Sequence, residues 1–389
     1  MKTALAVDIR DTPTGQEADA ILRACVHCGF CNATCPTYQL LGDELDGPRG
    51  RIYLMKQMLE GHAPSAATQL HLDRCLTCRA CETTCPSGVR YGRLLDIGRE
   101  HIEREVPRSM WDRFRRHALL SILPFPERFN ALLRIGQLMR PLLPPSLRQS
   151  VPARTPATAW PVARHARRML ILDGCVQPAL APNINAATAR VLDRLGISVI
   201  AAPRAGCCGA MSHHLGDTDS ARDFARRNIN AWWPQVEAGA ETLITTASGC
   251  GVHVKDYGHL LRDDPAYVAK ADRIARMTKD LGEVLAAEDL TRLKVSPKTI
   301  AFQSPCTLKH GQKLNGVVEG VLRRLGYTLT PVPDAHLCCG SAGTYSILQP
   351  QLSTALRARK LDALMIGKPA LIATANIGCL AHLQRGASV

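Results

Sequence analysis

Aromatic residues make up only 4% of the 389 positions, too few to build a stacking surface for single-stranded nucleic acid. No apolar run approaches the roughly 18–20 residues that a membrane-spanning helix needs. The segment from Met1 to Arg23 alternates charged and apolar residues and lacks the apolar core of a signal peptide, so a cytoplasmic location is expected. There is no P-loop and no dinucleotide-binding G-x-G-x-x-G; the nearest approach, Gly206-Cys-Cys-Gly209, belongs to a cysteine motif. The chain is therefore not expected to bind and oxidise a substrate alone. What remains is ordinary globular usage, 46% apolar and 21% charged, over a length that fits two to four domains on a prior of roughly 100–200 residues each.

Cysteine is the abundant exception, with 16 in the chain. In a reducing compartment, metal or catalytic use is a better expectation than a disulfide framework. Cys25, Cys28, Cys31 and Cys35 form C-x2-C-x2-C-x3-C-P, and Cys75, Cys78, Cys81 and Cys85 repeat it. This is the bacterial ferredoxin run, in which three close thiolates serve one [4Fe–4S] cluster and the fourth reaches the other. The spacing assigns Cys25, Cys28, Cys31 and Cys85 to one cluster and Cys75, Cys78, Cys81 and Cys35 to a second. Zinc would ask instead for paired C-x2-C units. Between the runs, Arg51 to Glu60 places Ile52, Met55 and Leu59 on one helical face. That insertion predicts an α-helical ferredoxin-like module over residues 1–100.

The other eight cysteines form an internal repeat. Cys175, Cys207-Cys208-Gly209 and Cys250 are matched by Cys306, Cys338-Cys339-Gly340 and Cys379, with 31 residues between lone cysteine and pair in both copies. Each copy ends C-x-x-H, giving His253 and His382. Each reads strand, helix, strand, helix, strand, which predicts two α/β domains with parallel sheets, at 166–290 and 298–389. Strands are expected at 169–172, 198–201 and 242–246 in the first copy, with Leu195-Gly196 and Leu325-Gly326 each opening an apolar strand toward the pair. The cysteines follow strand ends, where ligands of open α/β sheets collect, so these thiolates could converge on further iron. A small buried hydrophobe or a redox-active disulfide are the other readings of these positions. His253 and His382 could ligate iron, relay a proton or hydrogen-bond a sulfide.

From His101 to Leu170 there are 13 arginines, no lysine and four acidic residues, the larger part of a net charge of +14. With apolar residues at helical spacing and many prolines, residues 101–165 read as a basic, amphipathic, Pro-rich linker. Its expected roles are packing between domains, docking a partner subunit, or peripheral contact with the anionic cytoplasmic face of the inner membrane. No recognition motif accompanies the charge, so nucleic acid is not an expected partner.

Two ferredoxin runs followed by two CCG domains resemble the iron–sulfur subunits of glycolate oxidase, over about Asp11 to Gln384. Gly47-Pro48-Arg49-Gly50-Arg51 and the C-x-x-H endings favour this family over heterodisulfide reductases, which end C-x-x-C. The resemblance implies two [4Fe–4S] clusters on the ferredoxin cysteines and FAD on partner flavoprotein subunits. It implies an electron-transfer subunit of a glycolate dehydrogenase, passing electrons from that flavin toward a quinone as glycolate becomes glyoxylate. Arginines Arg79 and Arg90 beside the second run are either potential-tuning charges or ordinary surface residues. Subunits for D-lactate or glycerol 3-phosphate share the architecture. A CCG half that itself reduces a disulfide or quinone, or a metal-free scaffold, are the remaining readings.

Overall fold

The computed structural model describes residues 1–144, 148 and 151–387. The part of the Pro-rich linker at 145–147 and 149–150, and the last two residues of the second repeat, lie outside the described residues. The N-terminal part is helical. Pro48 opens the helix Pro48–Leu59 at its first turn, where a missing N–H costs nothing. Ile52, Met55 and Leu59 are all buried on its inner face, as the periodicity predicts. They pack with Leu22, Leu94 and Leu95 from the helices Pro13–Ala24 and Tyr91–Glu105 into one core that also contains Cys25, Cys75 and Cys81.

Each repeat then forms a parallel sheet. The first contains β1 (Arg167–Ile171), β2 (Ile197–Ala201), β3 (Leu243–Thr245) and β4 (Thr278–Asp280) in the order β2-β1-β3-β4. The second contains β5 (Thr299–Gln303), β6 (Thr328–Leu329) and β7 (Leu371–Thr374) in the order β6-β5-β7. Helices Asn183–Arg194, Thr218–Glu237, Val317–Arg324 and Pro350–Met365 make the crossovers. The expected strands lie within a residue or two of these bounds. Two features depart from the sequence reading. The strand expected after Leu325-Gly326 is only two residues long, and β4 extends the first sheet beyond its last cysteine. Thr278 and Asp280 are buried while Lys279 is exposed, so β4 lacks the apolar run that would mark a strand.

The linker folds back on the N-terminal module. Arg108 and Arg116 bind Asp73 and Asp112 at 2.7–3.0 Å, anchoring the helix Met110–Ile122. The next helix, Pro126–Met139, buries none of its residues. Met110, Trp111, Phe114 and Leu138 stay exposed on these two helices, with Trp111 and Phe114 stacked. Among the described residues no helix is long and apolar enough to cross a membrane.

Candidate iron–sulfur sites

The two cysteine runs build two neighbouring cavities from interleaved ligands. Cys25, Cys28, Cys31 and Cys85 line one. Cys35, Cys75 and Cys78 line the other, and Cys81 borders both. The fourth cysteine of each run thus crosses to the other's loop, brought there by contact of the short helices Phe30–Ala33 and Ala80–Thr84. The loops are shaped alike. His27 and Thr77, two residues into each run, have φ of 59° and 56°, and Gly29 and Arg79 have 86° and 61°. Three of these four are non-glycine residues in the left-handed region, a strain that recurs at corresponding positions because it wraps the chain round a common centre. The wrapping turns backbone N–H groups onto sulfur, His27 onto Cys25 and Ala80 onto Cys78.

The chemistry of these donor sets fits an iron–sulfur cluster. Burial, then the neighbouring Cys25 thiol, pushes Cys31 up to about 11; burial likewise raises Cys78 and Cys81. Sulfurs so crowded and desolvated do not ionise together without a cation between them, and all 16 cysteines are free of disulfides.

Sequence reasoning passed over the residue that answers this charge beside the second cavity. Arg51, 1% exposed, places Nη1 4.0 Å from Cys35 Sγ and donates to Thr37 Oγ1 and Asp46 Oδ1 at 3.2–3.3 Å and to the His71 carbonyl at 2.7 Å. Asp46 is fully buried and also held by Arg74 and His71. Arg51 closes the Gly47–Arg51 stretch that the sequence singled out, so the signal was present without its meaning. Tyr91 Oη donates to Cys75 Sγ at 3.6 Å. Arg79 instead pairs with Glu82, and Arg90 with Glu17.

The CCG cysteines converge as well. Cys175 follows β1, Cys207 and Cys208 follow β2, and Cys250 follows β3, all at the carboxyl edge beside the central strand where crossovers diverge. Their thiols lie close enough to shift one another's ionisation in sequence, Cys175 with Cys207, Cys207 with Cys208 and Cys208 with Cys250. In the second repeat hydrogen bonds join Cys306 to Cys338 at 3.8 Å and Cys339 to Cys379 at 3.3 Å, separations too long for disulfides. The glycine of each CCG has φ near +90°, and a Cβ there would meet the carbonyl of Ala221 or Ser353 at 3.0 or 2.6 Å. Only glycine lets the thiol pair approach the following helix so closely.

Those contacts also align the repeats: Ser353 corresponds to Ala221, and seven residues on, Lys360 corresponds to Asn228. Lys360 is 3% exposed and lies among the charges of Cys338, Cys339 and Cys306, its Nζ on the Asp334 carbonyl. Asn228 instead donates to the Cys207 carbonyl at 2.8 Å. At this aligned position the second site therefore carries a buried cation and the first a neutral amide. His382 Nε2 lies 3.2 Å from Ser353 Oγ, whereas His253 has alanine there and its Nε2 has no partner. Of the roles open to these histidines, the structure gives His382 a hydrogen bond to a helix.

The second site also touches the N-terminal module. Cys78, Leu76 and Ala80 pack with Cys338, Tyr345 and Leu356 in one buried cluster, with Cys306 against it. His310 after Cys306 bonds Thr83 at 2.9 Å.

Comparison with known families agrees with this construction. Residues 21–89 match the 4Fe-4S dicluster domain, and residues 169–255 and 300–384 each match the cysteine-rich CCG domain. The fold and sites thus define an iron–sulfur protein with a helical dicluster module and two CCG repeats. The chain is 58% identical over 98% of its length to the glycolate oxidase iron-sulfur subunit of Escherichia coli (strain K12), covering 95% of that protein. It is 31% identical over 93% of its length to the probable glycolate oxidase iron-sulfur subunit of Bacillus subtilis (strain 168), covering 88% of it. Lactate utilization protein A of Bacillus licheniformis is 29% identical over 54% of the chain. The chain belongs to the family of glycolate oxidase iron–sulfur subunits.

Proposed function

We propose that this chain is the electron-transfer subunit of a flavin-dependent glycolate-oxidising complex, and that its eight ferredoxin-type cysteines hold two [4Fe–4S] clusters. The observation that carries this reading is the interleaving of the two runs, with Cys85 completing the cavity of the first and Cys35 that of the second. Cys25, Cys28, Cys31 and Cys85 would hold one cluster; Cys75, Cys78, Cys81 and Cys35 would hold the other. Such clusters take and give electrons singly, whereas oxidising glycolate to glyoxylate releases two with a hydride, so a flavin on partner subunits stands between. This chain's residues set the environment of that transfer: Arg51 places fixed positive charge beside Cys35, Tyr91 donates to Cys75, and the turned amides donate to Cys25 and Cys78.

Contact between Cys78 and the second CCG site supports a further metal-bearing group on Cys306, Cys338, Cys339 and Cys379, with Lys360 offsetting thiolate charge. The corresponding set in the first repeat is Cys175, Cys207, Cys208 and Cys250. A quinone is the acceptor we assign downstream. The exposed Trp111, Phe114 and Leu138, set among arginines, form the surface we assign to a flavoprotein subunit, since tryptophan and arginine dominate protein interface energetics. The test is an anaerobic affinity purification followed by substrate addition. Co-purified flavin that bleaches with glycolate, but not with D-lactate or glycerol 3-phosphate, supports the reading; a preparation without flavoprotein overturns it.

A further inference from the structure

The first CCG repeat carries a histidine cluster that the second does not. Counting from the CCG pair, His213 and His214 occupy the places of Thr344 and Tyr345, so the fold itself does not require them. They end the short helix Ala210–His214 and sit against Asp96 of the N-terminal helix Tyr91–Glu105. His214 Nδ1 lies 3.3 Å from Asp96 Oδ1, and one ligand atom from each of Asp96, His213 and His214 lies within 4.8 Å of the others. His213 Nδ1 is buried with no hydrogen-bond partner.

A second observation points to the same place. His253, 5% exposed, also leaves Nε2 without a partner, and its ring centroid is 5.3 Å from that of His213 and 6.3 Å from that of His214. Its counterpart His382 meets Ser353, but Ala221 removes that hydroxyl here. Two orphaned imidazole nitrogens in one buried cluster cost free energy unless something accepts or binds them. The cations nearby donate to other acceptors than these ring nitrogens: Arg93 pairs with Asp256, and Arg99 donates to the backbone carbonyls of Leu72, Cys75 and His214.

We propose that Asp96, His213 and His214 bind a divalent transition-metal ion at the seam between the dicluster module and the first CCG domain, with the unpartnered His253 ring beside them. Two imidazoles and one carboxylate, leaving a fourth position open, suit zinc or a similar borderline ion, held apart from the thiolate sites. Because the ligands come from both domains, the ion ties them together.

The test uses the full chain, purified anaerobically, dialysed against zinc and then against buffer. The expected result is about one zinc per chain, surrounded by nitrogen and oxygen at about 2.0–2.1 Å with no sulfur in the zinc X-ray absorption spectrum. In His213→Gln/His214→Gln that zinc is lost while cluster iron and visible absorbance are retained. Zinc below about a tenth of an equivalent, or zinc with sulfur neighbours, overturns the proposal. Should the double variant not fold, the absorption spectrum of the unaltered chain decides alone. Neither failure would alter the cluster iron, so the electron-transfer reading is tested separately.

Discussion

Cys78 of the second ferredoxin run and Cys338 of the second CCG pair share one buried cluster across the boundary between their domains. The corresponding pair member in the first repeat, Cys207, packs instead with Cys175 and Phe224. The repeats are alike in fold and unlike in wiring. Replacing Cys338 by Ser should therefore perturb the paramagnetic resonance of the cluster we propose on Cys75, Cys78, Cys81 and Cys35. Cys207→Ser should leave that spectrum unchanged. Equal effects from both would contradict the asymmetry.

Arg51→Gln removes a buried guanidinium from beside Cys35 and from Asp46. Breaking a buried pair typically costs about 3–5 kcal/mol, and the lower end is expected because Arg74 and His71 still hold Asp46. A reduced cluster carries more negative charge, so loss of the cation shifts the second cluster's midpoint to a more negative potential. A potentiometric titration followed by paramagnetic resonance measures this. A midpoint unchanged in a folded variant would deny Arg51 its electrostatic role.

Burial holds His382 down at about 4, against 6.5 when exposed. Between those values the unfolded chain binds a proton that the folded chain does not. Its contribution to stability is thus complete above about pH 6.5 and is lost as pH falls toward about 4. Thermal unfolding at about pH 7.5 and about pH 5.5 should show a larger loss for the native chain than for His382→Gln, which keeps a polar group facing Ser353. Parallel losses in the two proteins would contradict this. Iron content should be the same in both, since the ring faces Ser353.

Much of this was legible in the sequence because thiolate chemistry needs fixed spacings. The two runs, their exchanged fourth cysteines and the repeat of the CCG pattern all follow from counting residues. The helix Pro48–Leu59 announced itself by apolar residues at i, i+3 and i+7. Strand β4 did not, because all three of its residues are polar or charged and it is held by pairing with β3 rather than by an apolar pattern. The role of Arg51 was hidden too, since a charged residue in a helix reads as solvent-facing until tertiary packing buries it. Likewise, the contrast of Ala221 with Ser353 and of Asn228 with Lys360 becomes visible only once glycine contacts align the repeats in space.

Cys28 is the one exposed thiol of the first set, so Cys28→Ser is expected to disturb the fold least while removing a cluster ligand. About half of the ferredoxin-type iron, roughly four atoms, should be lost or rendered labile. Partner flavin should still bleach with glycolate, but dye or quinone reduction should fall to background. Turnover at the native rate would show that electrons bypass this chain.

The most direct test of the account is rapid-freeze paramagnetic resonance of the purified complex after anaerobic mixing with glycolate. The account predicts that flavin bleaching is followed by the signal of reduced [4Fe–4S] clusters, and that Cys28→Ser keeps the bleaching while losing the first cluster's signal. Flavin reduced by glycolate, with clusters that stay oxidised throughout turnover while acceptor is consumed, would contradict it.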